Sequence, residues 1–202
     1  MVFMNTYRTV DVDLGGVVEA ESVVQRSRFL AQVCRVEDEA AARAFIAAIG
    51  ARYHDARHHC TAFVLGPVGD VRRSNDDGEP AGTAGRPILD AISGRDLSDV
   101  VVVVTRWFGG TLLGTGGLTR AYADAAGAAL DAAGAREREL WQQVLVRAAH
   151  AEAGALENRL RQLGQMKDVN YGAEVQFTIA VRDLADLDRI EFELLSAVWQ
   201  DA

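Results

Sequence analysis

Residues 100–122 read VVVVVTRWFGGTLLGTGGLTRAY. The unbroken apolar run Val100–Val104 is the pattern of a strand covered on both faces, since a half-exposed strand would alternate. From Leu118 to Gly134 the chain continues LTRAYADAAGAALDAAG, a helix built so largely of alanine that a neighbour must pack closely against it. Between strand and helix lie Gly109, Gly110, Gly114, Gly116 and Gly117, five glycines in nine residues. Inside a regular element each would cost about 0.5–1 kcal/mol relative to alanine. They therefore mark a loop where the backbone turns sharply or lets another group come close. A strand, a glycine loop and a helix start make an anion site, because the first amides of the helix are unpaired and its dipole is positive there. The known phosphate motifs nevertheless fail. No G-x-x-x-x-G-K-[ST] occurs, and Gly114-Thr115-Gly116 is followed by Thr119 where G-x-G-x-x-G needs its last glycine. Arg106, Thr115, Thr119 and Arg120 still supply donors around the turn. Equally, the glycines could serve only a tight strand-to-helix crossing, with Arg106 paired to an acid.

Upstream, residues 17–36 read as two β-rich strands around a polar turn at Gln25–Ser27, a hairpin. Residues 37–53 carry acids at their start and apolar residues at Ala44, Phe45, Ala48 and Ile49, a helix. HHCTAFVLG (58–66) is a strand, residues 70–87 a strand running into a polar Gly/Pro loop, and ILDAISGRDL (88–97) a short helix. Near 136–142 the pattern restarts: a strand at 143–149, a helix at 150–164, two strands across Tyr171-Gly172, and a helix expected over 183–199. That β-α-β-β-α order is one strand short of a ferredoxin-like sandwich. The expected organisation is α+β, with a loose arm at 1–16, a first domain at 17–140 and a second at 141–202.

About half of the 202 residues are apolar, enough for two cores. No apolar run has the length of a membrane span, and the first residues carry acids where a signal peptide would have its apolar core. The expected setting is the cytoplasm, without membrane contact. Cys34 and Cys60 are too few for a disulfide framework and read as reduced core thiols. The net charge of −8 opposes non-specific nucleic-acid binding, which needs a basic excess, so any such contact requires a local arginine face.

Two further stretches could carry chemistry. SNDDGEPAGTAGRP (74–87) puts Asp76, Asp77 and Glu79 within four residues, close enough to share a proton or hold a cation, although an EF-hand would need a Glu at its twelfth position. Asp-Gly and Glu-Pro are also ordinary turn chemistry. Thr83 and Arg86 continue this second Gly-rich loop, and two such loops in one domain point to a shared cleft. HDARHHC (54–60) has a zinc-like spacing through His54, His58, His59 and Cys60. It straddles a helix end and a strand start, where neighbours point opposite ways, so no metal is expected and His58 lining the cleft is the better reading. No nucleophile elbow is present.

Taken in order, SRFLAQV (27–33), RHHCTAF (57–63), SNDDGEPAGTAGRPIL (74–89) and VVVVTRWFGGTLLGTGGLTRAY (101–122) resemble the motifs of the YigZ/IMPACT family. The resemblance implies a first domain folded like a small-subunit ribosomal protein, a domain of elongation factor G and the mevalonate-type kinases. It implies a ferredoxin-like second domain similar to another domain of elongation factor G. It departs at His59, where relatives often have Asn. By this resemblance the chain is a regulatory or binding protein of translation or the stress response, with the ribosome, RNA or a translation protein as partner and no cofactor. Its recognition surface would join Asp76, Asp77, Glu79, Thr83, Arg86 and His58 to Arg106, Gly109, Gly110, Gly114, Gly116, Gly117 and Arg120, with Trp107 or Phe108 stacking. The alternative is an enzyme on a small anionic or phosphorylated substrate in the same cleft, Arg106 holding the anion and Asp76, Asp77 or Glu79 acting as base or metal ligand.

Overall fold

A computed structural model describes residues 5–202. The chain divides into two compact units, residues 1–137 and 138–202. The first contains β1 (Thr6–Val10), β2 (Val17–Val24), β3 (Ser27–Arg35), α1 (Glu39–Arg52), β4 (His58–Leu65), β5 (Val71–Asn75), α2 (Gly85–Ser93), β6 (Val100–Trp107) and α3 (Gly114–Ala133). Strands β2–β6 form an antiparallel sheet in the order β2-β3-β6-β4-β5, with β6 at its centre. Its valines face both ways: Val100, Val102 and Val104 join the core under α2 and α3, while Val101 joins the core under α1. This is why the run shows no alternation. Each fully buried valine contributes about 1.5–3 kcal/mol.

The expected hairpin closes through Gln25 and Arg26, both left-handed at φ 46° and 68°, between the paired residues Val24 and Ser27. Two such residues make the turn whose twist matches the flanking strands. Asp38 caps α1, its carboxylate accepting the Ala41 N–H at 2.7 Å. The alanines of α3 pack it tightly on α2 and on the sheet, and Tyr122 meets Phe29 edge to face at 5.2 Å.

The N-terminal segment departs from the expected loose arm. Residues 1–4 lie outside the described residues, but residues 6–10 form β1, with Tyr7 and Val10 buried. The cause is polar. Asp99, buried and left-handed at φ 53°, accepts from the Tyr7 hydroxyl and from Gly66 N–H, tying β1 to the loops before β5 and β6.

The second unit carries most of β7 (Ala135–Ala148), then α4 (His150–Leu163), β8 (Gln165–Tyr171), β9 (Val175–Val181), a 3₁₀ turn (Leu184–Leu187) and β10 (Glu193–Asp201). The strand order β10-β7-β9-β8, antiparallel throughout, is that of a ferredoxin-like sheet. The helix expected over 183–199 is not there. Asp183 caps only the 3₁₀ turn, its carboxylate accepting from Ala185 N–H, and residues 193–201 pair along β7 instead. Edge pairing overrides the helical leaning of Glu193-Leu194-Leu195 and supplies the strand the pattern lacked.

Candidate functional site

The two glycine-rich loops meet where β4 begins and β6 ends, with His58 directly opposite Arg106. Arg106 and Glu79 are both buried and pair at 2.6 Å. The same Glu79 oxygen accepts the Tyr122 hydroxyl at 2.8 Å and lies 3.9 Å from His58 Nε2. The other end of the Arg106 guanidinium donates to Ser27 Oγ at 3.2 Å, and Phe29 and Phe108 lie over it. Burial, with Cys60 and Glu79 alongside, pushes the Tyr122 phenol far up, so it remains a donor. His58 Nδ1 sits 2.7 Å from the Asp77 carbonyl, a contact that needs the proton on Nδ1 and leaves Nε2 facing Glu79.

Above this floor opens a cleft of about 420 Å³, lined at its base by His58, Glu79 and Arg106. Phe108, Leu112, Leu113 and Leu118 form its walls, with Arg57, Pro80 and the Gly114-Thr115 start of α3 around them. Phe108 is 43% exposed and Leu112 86%. Trp107 points elsewhere. Its indole N–H donates to Asp55, Arg28 covers one face at 4.4 Å and Tyr53 abuts it edge-on. Of the two expected stacking residues, only Phe108 is therefore open to a partner.

The acids do different work from that expected of a shared cation site. Burial pushes the Asp76 carboxyl up, but the amides of Gly82, Gly85 and Ala84 outweigh it and hold the group below the usual carboxylate value. Those bonds, at 2.8–3.0 Å, wrap the GEPAG loop around Asp76 and start α2. Asp77, left-handed at φ 44°, accepts His59 N–H at 2.6 Å. His59 turns its ring to the Tyr53 carbonyl, away from His58. Among the described residues no three His, Cys, Asp or Glu side chains gather as a cation site.

Of the remaining expected residues, Gly114 lines the cleft, and Gly116 follows it in the first turn of α3 with open space where a side chain would sit. Gly110 and Gly114 are left-handed at φ 84° and 68°. Gly109 presses on the hairpin turn, and Gly117 on Leu113. Asp76, Asp77, Gly109, Gly110, Gly116 and Gly117 belong to the loops and the helix start without lining the cleft, and Thr83, Arg86 and Arg120 do not line it either. Thr83 is buried and bonds the Pro80 carbonyl. Arg86 pairs with Asp90 one turn along α2 and lines a groove between α2 and α3. Arg120 is exposed on α3, away from the cleft lining. Ser27 and Tyr122 were not foreseen as part of the floor. The available signal for Tyr122 was a hydroxyl inside an alanine helix, which must find a partner once buried.

Cys60 is fully buried behind this floor, its thiol donating to the Asp76 carbonyl, and burial pushes it up to about 12. Burial also raises Cys34. Thiolate is the reactive form, so the native protein should take up no iodoacetamide at pH 8, and both cysteines should alkylate after denaturation. Native labelling at Cys60, read by peptide mass, would contradict this burial.

Residues 25–130 match the model of the Impact N-terminal domain and residues 146–191 that of a domain of unknown function, DUF1949. IMPACT family member YvyE of Bacillus subtilis is 39% identical over 82% of this chain and 76% of its own length. IMPACT family member YigZ of Escherichia coli is 33% identical over 86% of this chain and 91% of its own. A crystal structure described as that of a hypothetical protein superposes with a TM-score of 0.66 at 30% identity, covering 96% of this chain and 98% of that one. With its glycine-loop cleft inside the first matched region and relatives aligned along most of its length, this chain belongs to the IMPACT family.

Proposed function

We propose that the chain is a regulatory binding protein of the translation machinery, and that the cleft is where it holds its partner. One observation carries this reading. Arg106 and Glu79 in the floor are spent on each other and the neighbouring Asp76 on three backbone amides, while Phe108 and Leu112 stand exposed at the rim. A neutralised arginine holds no phosphate, and a carboxylate occupied by amides serves poorly as a base or ligand. An apolar rim over a rigid, hydrogen-bonded floor instead suits capture of a partner's apolar or aromatic group. The link to translation rests on the resemblance of both domains to those of translation proteins.

The test is cosedimentation with bacterial ribosomes and their subunits across a salt series. Leu112 is exposed enough for Leu112→Asp to leave folding unchanged within about 0.5 kcal/mol. That variant should bind about tenfold more weakly, the effect of losing one well-placed apolar anchor. Absence of wild-type cosedimentation at low salt, or undiminished binding by Leu112→Asp, would defeat the reading.

A further inference from the structure

The sheet of the first unit has two edges, β2 and β5, and they differ in charge. On β2 the acids are engaged by neighbouring strand residues: Glu21 pairs with Arg28 at 2.8 Å and Glu19 accepts from Gln32 at 2.6 Å. Among the described residues, the arginines of β5 meet no carboxylate. Arg72 donates to the Gly69 carbonyl and Arg73 to the Arg72 carbonyl, both bonds to neutral groups. Arg72 through Asn75 are exposed.

Strand alternation places these two cations on opposite faces. Arg73 lies across from Phe63, which faces α1, and Arg72 across from Val64, which faces α2 and α3. On the α1 side a groove of about 340 Å³ runs beside the edge, with Ile46, Ala47 and Phe63 as its apolar part and Arg73 at one side, opposite an Arg43 already paired with Glu39. On a protein of net charge −8, this is a local cationic edge joined to an apolar slot.

We propose that the β5 edge is a second interaction site, taking an extended acidic segment of a protein partner as an added strand. An exposed edge presents backbone N–H and C=O groups at strand spacing, which another peptide backbone matches, here once the Arg73 guanidinium leaves the Arg72 carbonyl. Two consecutive acidic residues of such a strand point to opposite faces, so one meets Arg73 and the next Arg72. An apolar residue two positions from the first lies on the α1 side and enters the slot. RNA lacks the amide ladder, and the net charge of the protein repels a polyanion beyond the edge. Charge complementarity and backbone spacing thus select the same occupant.

The probe is a fluorescein-labelled ten-residue peptide of alternating acidic pairs and valines, with a lysine-for-acid counterpart as control, added to the full chain. Fluorescence anisotropy should show saturable binding of the acidic peptide only, and hydrogen exchange should show new protection of the amides within Val71–Asn75 that face away from β4. Arg72→Glu/Arg73→Glu should weaken binding about tenfold or more, since like charges then face each other. Arg73→Glu alone, whose native side chain donates to the neighbouring Arg72 carbonyl from an exposed position, should weaken it in the same direction and keeps the test clear of a folding defect. No binding at low salt, binding untouched by Arg73→Glu, or binding without β5 protection would each overturn the proposal. So would displacement of the peptide by an RNA oligomer that binds the same arginines more tightly.

Discussion

Glu79→Ala should cost the first unit about 3–5 kcal/mol, the penalty for leaving a buried charge without its partner. Arg106 is 5% exposed and keeps only Ser27 Oγ and the neighbouring rings once the carboxylate has gone. Tyr122 loses its carboxylate acceptor in the same step and is left with the Cys60 thiol beside it, a weaker partner that adds to the loss. The natural readout is amide exchange in β6, whose central valines open only with the core. Exchange there should accelerate by about a hundredfold or more. Glu79→Met/Arg106→Met/Tyr122→Phe should regain most of the stability, because an apolar set of similar volume removes the stranded charge and the stranded phenol hydroxyl. A Glu79→Ala variant within about 1 kcal/mol of wild type would mean that the pair is not dry, and the view of the floor as a closed network would fall with it.

Gly109→Ala should be nearly as damaging, for a steric reason. A methyl group at this position would stand 2.0 Å from the Arg26 carbonyl carbon and 2.4 Å from Ser27 N. Both are backbone atoms of a turn that already holds two left-handed residues, so neither can move aside cheaply. Ser27 also accepts from Gly109 N–H and from Arg106, so pushing the turn away loosens the floor as well. About 3 kcal/mol or more is the expected cost, the upper end for forced overpacking. Gly116→Ala is the contrasting experiment. Nothing lies within 4 Å of its added methyl, and alanine in a helix is favoured over glycine by about 0.8–1.0 kcal/mol. Thermal unfolding should therefore move down for Gly109→Ala and up for Gly116→Ala. Weaker ribosome cosedimentation by a stabilised Gly116→Ala would indicate that this glycine is kept for the partner rather than for the fold. Equal destabilisation by both would contradict the packing described for the loop.

The centre of the first unit was legible because a run of five valines has few fates other than a strand buried on two faces, and the glycines that follow cannot continue it. The meeting of the two loops was legible in outline, since both are polar and glycine-rich within one domain. Which charges pair was not. Glu79 and Arg106 belong to separate loops, and no periodicity links them. Arg86 reads from its neighbours as a cleft residue, yet the first turn of α2 directs it to Asp90 and another groove. Over 183–199 the local leaning of Leu184 to Leu187 towards a helical turn was real but extended only one turn. What decided the remainder was the open side of β7, a partner more than forty residues earlier in the chain, which no local pattern encodes.

The central position of β6 also has a consequence for synthesis. Its two neighbours, β3 and β4, both precede it in the chain and each belongs to a separate hairpin, β2-β3 and β4-β5. As the chain leaves the ribosome these hairpins emerge first and cannot join into one sheet until Trp107 is out. At about 5–20 residues per second that interval, from Asn75 onward, lasts seconds. For that time the inner sides of β3 and β4 stand as open edges, and the valine run that will close them arrives last. The nascent chain is most exposed to misassociation at that stage, and a truncation ending before β6 should aggregate rather than fold.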